Sequence, residues 1–259
     1  MSEARQPSPP PSPAGGRGRE KDCALVTGGS AGIGRAICET LLAEGRRVVS
    51  LDLAPAAFEH PSLTAIQVDL ADREATRRVA AEVAAQYAPT TLVHNAGVIR
   101  PAALADVKLE ELDVLVELHL GAAIQLVQAM LPGMRERRFG RIVLISSRAA
   151  LGAATRTVYS ATKAGLVGMA RTWALELAAD GITVNVVAPG PIRTDMYHGI
   201  VAAGSEQDVR LAGSIPVGRI GDAGDVARAV AFFAAPANGF VTGQTLFVCG
   251  GSSVSSLKV

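Results

Sequence analysis

From Cys23 onward, short β-branched apolar runs alternate with amphipathic helical stretches, and this alternation limits the possible architectures more than any other feature. The runs at 23–27, 47–52, 63–68, 91–94, 141–146, 183–188 and 245–248 read as strands. Between them, 33–44, 73–87, 109–137, 157–179 and 223–234 carry helical periodicity. Gly45 supplies a helix stop, and Pro132 is expected to kink the last turns of the longest helix. The strand runs are continuously apolar, as in strands covered on both faces. Regular strand–helix alternation then implies an α/β fold: a doubly wound parallel sheet of about seven strands with helices on both faces.

The chain has 259 residues, 49% of them hydrophobic, enough for one large domain with a substantial core. No linker divides residues 21–259, so these read as a single domain. Residues 1–20 are rich in Pro, Ser, Gly and Arg and read as a disordered tail, because they have little apolar surface to bury. A net charge of +1 and 4% aromatics speak against nucleic acid as a partner. No run approaches a membrane span and the N-terminus lacks the apolar core of a secretory signal. Cys23, Cys38 and Cys249 are widely spaced, with no CxxC pair, so neither a metal site nor a disulfide framework is expected. Buried free thiols suit a reducing compartment, and a cytoplasmic location is the expectation.

The first strand ends in Thr27-Gly28-Gly29-Ser30-Ala31-Gly32-Ile33-Gly34. Glycines there permit a tight turn and close backbone approach to a pyrophosphate, which the positive end of the following helix attracts. The strand–turn–helix context makes this a Rossmann-type dinucleotide site. Asp52 closes the second strand, 18 residues after Gly34. A carboxylate there accepts hydrogen bonds from the adenine ribose hydroxyls and repels a 2′-phosphate, favouring NAD over NADP. Arg35, Arg46 and Arg47 keep NADP open.

These residues resemble the classical short-chain dehydrogenases/reductases over about residues 22–251. The turn TGGSAGIG is similar to the family's TGxxxGxG, and Asp69-Leu70 resembles its adenine-contacting position. His94-Asn95-Ala96-Gly97 resembles its NNAG, Tyr159 to Lys163 its YxxxK, and Pro189-Gly190 its PG. By resemblance, Gly28, Ser30, Gly32, Ile33, Gly34, Asn95, Ala96, Gly97, Pro189 and Gly190 line the cofactor cleft. Ile192 and Thr194 would meet the nicotinamide carboxamide, and Lys163 would hold the nicotinamide ribose.

Tyr159 and Lys163 share one helix face. A free phenol has a pKa of about 10, and a lysine cation beside it, together with the positive nicotinamide ring, favours the phenolate. Tyr159 is therefore the expected proton carrier for an alcohol or ketone. A serine should hold the substrate oxygen. Ser146 has the family's commonest spacing from the tyrosine, but strand alignment and side-chain alternation select Ser147. His119 stands where the family usually has an Asn that bends the helix and holds a water. It is counted with the catalytic set, as a water holder or titrating relay, against the alternative of a packed polar residue.

Residues 195–218 occupy the variable substrate lid of the family. Arg148 and Arg156 are near the catalytic serine in sequence and read more readily as solvated surface arginines than as partners of an acidic group. The resemblance implies a homotetramer or homodimer built on the two long helices, with residues 250–259 crossing a second interface. The expected activity is hydride transfer between NAD(H) and a small alcohol or ketone. A 3-oxoacyl-thioester reductase is the alternative, weakened by Asp180, where carrier-protein reductases often have a basic residue. A catalytically silent NAD-binding regulator is the reading from another class. A sugar-nucleotide epimerase would need a longer C-terminal region.

Overall fold

A computed structural model describes residues 22–199 and 201–254. The proposed tail, 1–20, and the far part of the C-terminal stretch lie outside the described residues.

Nine strands and eight α-helices are laid down among the described residues. Strands β1 (Cys23–Thr27), β2 (Arg47–Asp52), β3 (Leu63–Gln67), β4 (Thr91–His94), β5 (Gly140–Ile145), β6 (Ile182–Pro189) and β9 (Thr245–Val248) form one sheet, ordered β3-β2-β1-β4-β5-β6-β9. Every pairing is parallel. Along β1, alternate side chains enter opposite cores, as a two-residue repeat requires. Leu25 packs with residues of α2 (Arg73–Tyr87), α4 (Ala122–Arg137) and α5 (Thr157–Leu177). Ala24 and Val26 face α1 (Gly32–Ala43) and α8 (Ala223–Ala234). Covered faces explain why the central strands read as apolar runs, while the edge strands β3 and β9 remain partly exposed. The strand order reverses between β1 and β4, and a crevice opens there at the carboxyl ends of the strands.

The expected long helix is continuous over Leu109–Arg137 but not uniform. It comprises α3 (Leu109–Val116), a π-helical turn (Glu117–Gly121) and α4. The irregularity falls on the π turn, and the helix runs through Pro132 to Arg137. By length and composition this stretch is capable of crossing a membrane, contrary to the expectation that no run reaches that length. It is a core helix here: Leu115, Leu126, Met130 and Met134 are buried against the sheet side.

Two strand pieces too short to read from sequence, β7 (Ile192–Arg193) and β8 (Gly221–Asp222), pair with each other and bracket the lid. Inside it lie α6 (Asp195–His198) and α7 (Glu206–Ser214). The three cysteines are free and buried.

Candidate active site

A cleft of about 620 Å³ runs from the glycine turn and Asp52 past Asn95 and Tyr159 to the lid. The turn is held open by geometry that only glycine tolerates. Gly28 and Gly32 have φ of 67° and 52°. A Cβ on Gly28 would lie 2.9 Å from Asn95 Nδ2, and one on Gly34 would lie 1.8 Å from the Gly28 carbonyl oxygen. Ala31, the N-cap of α1, offers no side-chain acceptor to the first-turn N–H groups. Those donors, with Ile33 also on the cleft wall, suit a pyrophosphate.

Asp52 also lines the cleft, and its two oxygens accept from Ser30 N (2.9 Å) and Ala54 N (3.0 Å). The carboxylate thereby ties the turn to the end of β2 and keeps lone pairs for a diol. Two of the three arginines that kept NADP open are placed away from it. Arg46 is buried against Thr91 Oγ1 and the Ala234 carbonyl, and Arg47 opens β2 at the opposite strand end. Arg35 pairs with Glu39 and lies over the Phe58 ring.

Asn95 Nδ2 donates to the carbonyls of Thr27 (3.1 Å) and Gly28 (3.0 Å), stapling β4 to the turn. Thr27, not singled out from sequence although it begins the glycine motif, accepts at Oγ1 from Asn95 N and Ala96 N. Gly97 is crowded: a Cβ would stand 2.8 Å from His119 Nε2 and 3.2 Å from Lys163 Nζ. Asp69, Leu70, Pro189, Gly190, Ile192 and Thr194 all reach the cleft wall. Thr194 also caps α6 by accepting from Tyr197 N.

Tyr159 and Lys163 point inward from α5, with Lys163 Nζ 5.7 Å from the centre of the phenol ring. Lys163 is buried, donates to the Ile145 carbonyl (2.9 Å), and burial pulls its ammonium down to about 7. Burial raises the Tyr159 phenol, opposed by the Ser147 hydroxyl and the Arg156 cation. Desolvation is the largest influence on this phenol, and the lowering expected from Lys163 with the nicotinamide ring refers to the cofactor-bound site. The serines divide: Ser147 is half-buried beside the phenol, whereas Ser146 is buried and donates to the Lys163 carbonyl (2.7 Å).

His119 sits on the π turn with both ring nitrogens engaged. Nε2 accepts from Val98 N (3.3 Å) and Nδ1 lies 2.8 Å from Thr162 Oγ1. The Thr162 hydroxyl is within bonding reach of the carbonyls of Val158 and Tyr159, so the Nδ1–H tautomer completes the chain. Burial, then Lys163 and His94, push this imidazole down to about 2. Both that direction and the two engaged nitrogens favour a ring that locks the loop after β4, the π turn and α5 together over a titrating relay. His94 is buried as well, with Nδ1 on Thr27 Oγ1, and is held to about 3 by burial and Lys163.

At the lid, buried Asp208 accepts from Tyr197 Oη (2.6 Å), Gly204 N (3.1 Å) and Arg193 (3.3 Å), clipping α7 over α6. Met196, Tyr197, Val201 and Leu211 form its cleft-facing surface. Arg148 and Arg156 also line the cleft, against the sequence reading that placed them in solvent.

Residues 28–253 match the family model described as enoyl-(acyl carrier protein) reductase. The chain is 38% identical over 240 residues to the 3-oxoacyl-(acyl-carrier-protein) reductase FabG of Escherichia coli, covering 90% of this chain and 97% of that one. It is 36% identical over 249 residues to the (2S)-((R)-hydroxy(phenyl)methyl)succinyl-CoA dehydrogenase subunit BbsD of Thauera aromatica, covering 92% and 98%. Among solved structures, one assigned as an NAD(P)-dependent gluconate 5-dehydrogenase from Beutenbergia cavernae, with bound NADP, superposes with TM-score 0.85 at 34% identity, covering 90% and 97%. A structure described as a short chain dehydrogenase/reductase family protein gives 0.82 at 35% identity, covering 90% and 98%.

Proposed function

As a member of the short-chain dehydrogenase/reductase family, this chain is an NAD(P)-dependent oxidoreductase acting on the CH–OH or carbonyl group of a small molecule, and we propose that Tyr159, Ser147 and Lys163 carry its chemistry. The supporting observation is the convergence of the Tyr159 and Ser147 hydroxyls on the cleft wall, with Lys163 buried behind them. The bare glycine turn and the uncapped α1 terminus fit a dinucleotide; when bound, its nicotinamide supplies or accepts the hydride.

The chain's own residues handle the proton and the oxygen. In carbonyl reduction, Tyr159 donates its proton to the substrate oxygen, and a phenol kept neutral by burial is ready for that. In alcohol oxidation Tyr159 takes the hydroxyl proton as the phenolate, a form favoured by the Ser147 hydroxyl and the Arg156 cation. Ser147 donates a hydrogen bond to the substrate oxygen where charge develops. His119 is a positioning residue, since it holds the π turn and titrates far below neutrality.

NAD preference rests on Asp52, whose charge would repel a 2′-phosphate, although relatives of similar fold hold NADP. The test is kcat/KM with NADH and NADPH across secondary alcohols, polyols and ketones. A clear NADH preference that shrinks at least tenfold in Asp52→Ser is expected; an NADPH preference in the unaltered enzyme would refute it. Reduction of 3-oxoacyl thioesters is favoured as a second reading by the similarity to FabG. It is disfavoured by Asp180, which is tied to Arg135 (2.8 Å). Assembly through α4 and α5 fits the partly exposed Ile124 and the small Ala161, Ala164 and Gly168 on these helices. Light scattering giving a monomer would remove it. A cytoplasmic location fits the three free cysteines.

A further inference from the structure

Resting on the oxidoreductase reading above, we propose that Arg148 and Arg156 receive an anionic group of the substrate, so that the enzyme acts on a compact hydroxy or oxo carboxylic acid. Both side chains line the substrate half of the cleft. Elsewhere arginines such as Arg73, Arg100, Arg135 and Arg219 rest on carboxylates. Among the described residues, Arg148 has neither an ion pair nor a hydrogen bond for its guanidinium. The Arg156 guanidinium hydrogen-bonds only to the Thr155 carbonyl (3.2 Å) and Thr155 Oγ1 (2.8 Å). Two half-buried cations without counter-ions on one wall favour an anionic group between them.

The backbone carrying Arg156 is held against its own preference. Thr155 has φ of 60°, a left-handed conformation that a β-branched residue rarely adopts. Ala102 N donates to the Thr155 carbonyl (3.1 Å), and Ala102 forms an isolated parallel bridge with Arg156, pinning the turn. Strain that its surroundings over-determine is concentrated at ligand clamps. Arg148 follows the catalytic serine directly, and its position in the short helical turn Arg148–Leu151 is set by Ser147 accepting from Ala149 N. The Arg156 cation also acts on the Tyr159 phenol, so the anion would bind within a few bonds of the reacting carbon.

The rest of this wall sets the size. Ala149, Ala153, Val201 and Leu211 form an apolar lining for a short carbon body. Asp195 is the one carboxylate of the cleft at the lid, and it is exposed; Asp52 and Asp69 lie at the other end. In the oxidative direction the hydroxy acid would give its carbinol hydride to bound NAD⁺ and its hydroxyl proton to Tyr159 in the phenolate form, leaving an oxo acid, NADH and the neutral phenol, whose proton then returns to solvent.

The experiment compares 3-hydroxybutanoate with its neutral isostere 3-hydroxybutanamide by NADH formation, in the unaltered enzyme, Arg148→Gln, Arg156→Gln and Arg148→Lys. The readout is the ratio of the two kcat/KM values, which cancels any effect of Arg156 on the phenol itself. We expect the acid to be preferred at least tenfold. The ratio should fall at least tenfold in each Gln variant, mainly through KM, and recover in part with Lys. Neutral alcohols turned over with no preference for the acid would overturn this proposal and leave the oxidoreductase reading intact. An unchanged ratio in both Gln variants, or turnover confined to acyl-carrier thioesters, would also overturn it. Tight NADH binding with no turnover of any alcohol or ketone would instead sink the reading on which it rests.

Discussion

Replacing Gly34 by alanine tests the cofactor turn at its tightest point. The new Cβ would sit 1.8 Å from the Gly28 carbonyl oxygen and 2.6 Å from Asn95 Nδ2. Restoring an ordinary 3.4 Å contact requires a retreat of about 1.6 Å, and the nearest obstacle is backbone rather than a flexible side chain. Overpacking of this kind costs about 1–3 kcal/mol. The two Asn95 hydrogen bonds, at 3.1 and 3.0 Å, hold the same carbonyls. Losing both adds about 1–3 kcal/mol. A total of about 2–6 kcal/mol is smaller than the stability of all but the least stable domains, about 5–15 kcal/mol, so the variant is expected to fold with a reduced Tm. Its Tm should fall by about 4–20 °C. Displacement of the pyrophosphate donors by more than an ångström should weaken NADH binding at least tenfold, about 1.4 kcal/mol. Scanning fluorimetry and NADH fluorescence titration read both quantities. Gly224→Ala, near the start of α8, is the control: its Cβ meets only the end of Arg228, and a small rise in Tm is expected. If Gly34→Ala bound NADH within twofold of the unaltered protein, the steric account of the turn would be refuted.

Tyr159→Phe should lower kcat by at least 10³-fold, on the order of general acid–base catalysis, while NADH affinity changes little; retained turnover would require another proton carrier. Ser147→Ala should reduce turnover by about 10²-fold, whereas Ser146→Ala should mainly lower Tm, because Ser146 Oγ is spent on the Lys163 carbonyl. The reverse pattern in initial rates would reassign the serine. His94 and His119 are depressed to about 3 and 2, against an ordinary value of about 6.5. Their folded-state values lie below the unfolded ones, so the unfolded chain binds more protons below 6.5. Stability should therefore fall as pH drops from 6.5 towards 3. Removing both rings (His94→Asn with His119→Asn) should flatten that part of the Tm–pH curve, and an unchanged slope would contradict the burial argument. The pH–rate profile above pH 5 should keep its shape in His119→Asn.

The centre of the sheet was readable from sequence because β1, β2, β4, β5 and β6 are buried and so are marked by apolar runs, while the edge strands β3 and β9 are partly exposed and are marked by β-branched residues instead; the limits of β2, β4 and β9 agree residue for residue. The π turn was not, since periodicity over 109–137 does not distinguish one widened turn from its helical neighbours. Here the widening shows itself only once His119 is seen reaching both Val98 N and Thr162 Oγ1. The choice of Ser147 over Ser146 follows from side-chain alternation, a local property, and the position of Ser147 beside the Tyr159 phenol is compatible with it. The courses of Arg148 and Arg156 were illegible because loop path, not composition, decides which way they face. The upward push of burial on Tyr159 was illegible for a related reason: desolvation depends on how much protein closes over the phenol, which spacing alone does not report.

The small ribbon formed by Ile192–Arg193 and Gly221–Asp222 has an evolutionary implication. It joins the departure and return points of the lid, so everything between them is a cassette whose ends stay fixed whatever it contains. Insertions or exchanges there need not disturb α8 or the parallel sheet. New substrates are then reached by rewriting one surface segment while the proton-transfer apparatus is inherited intact.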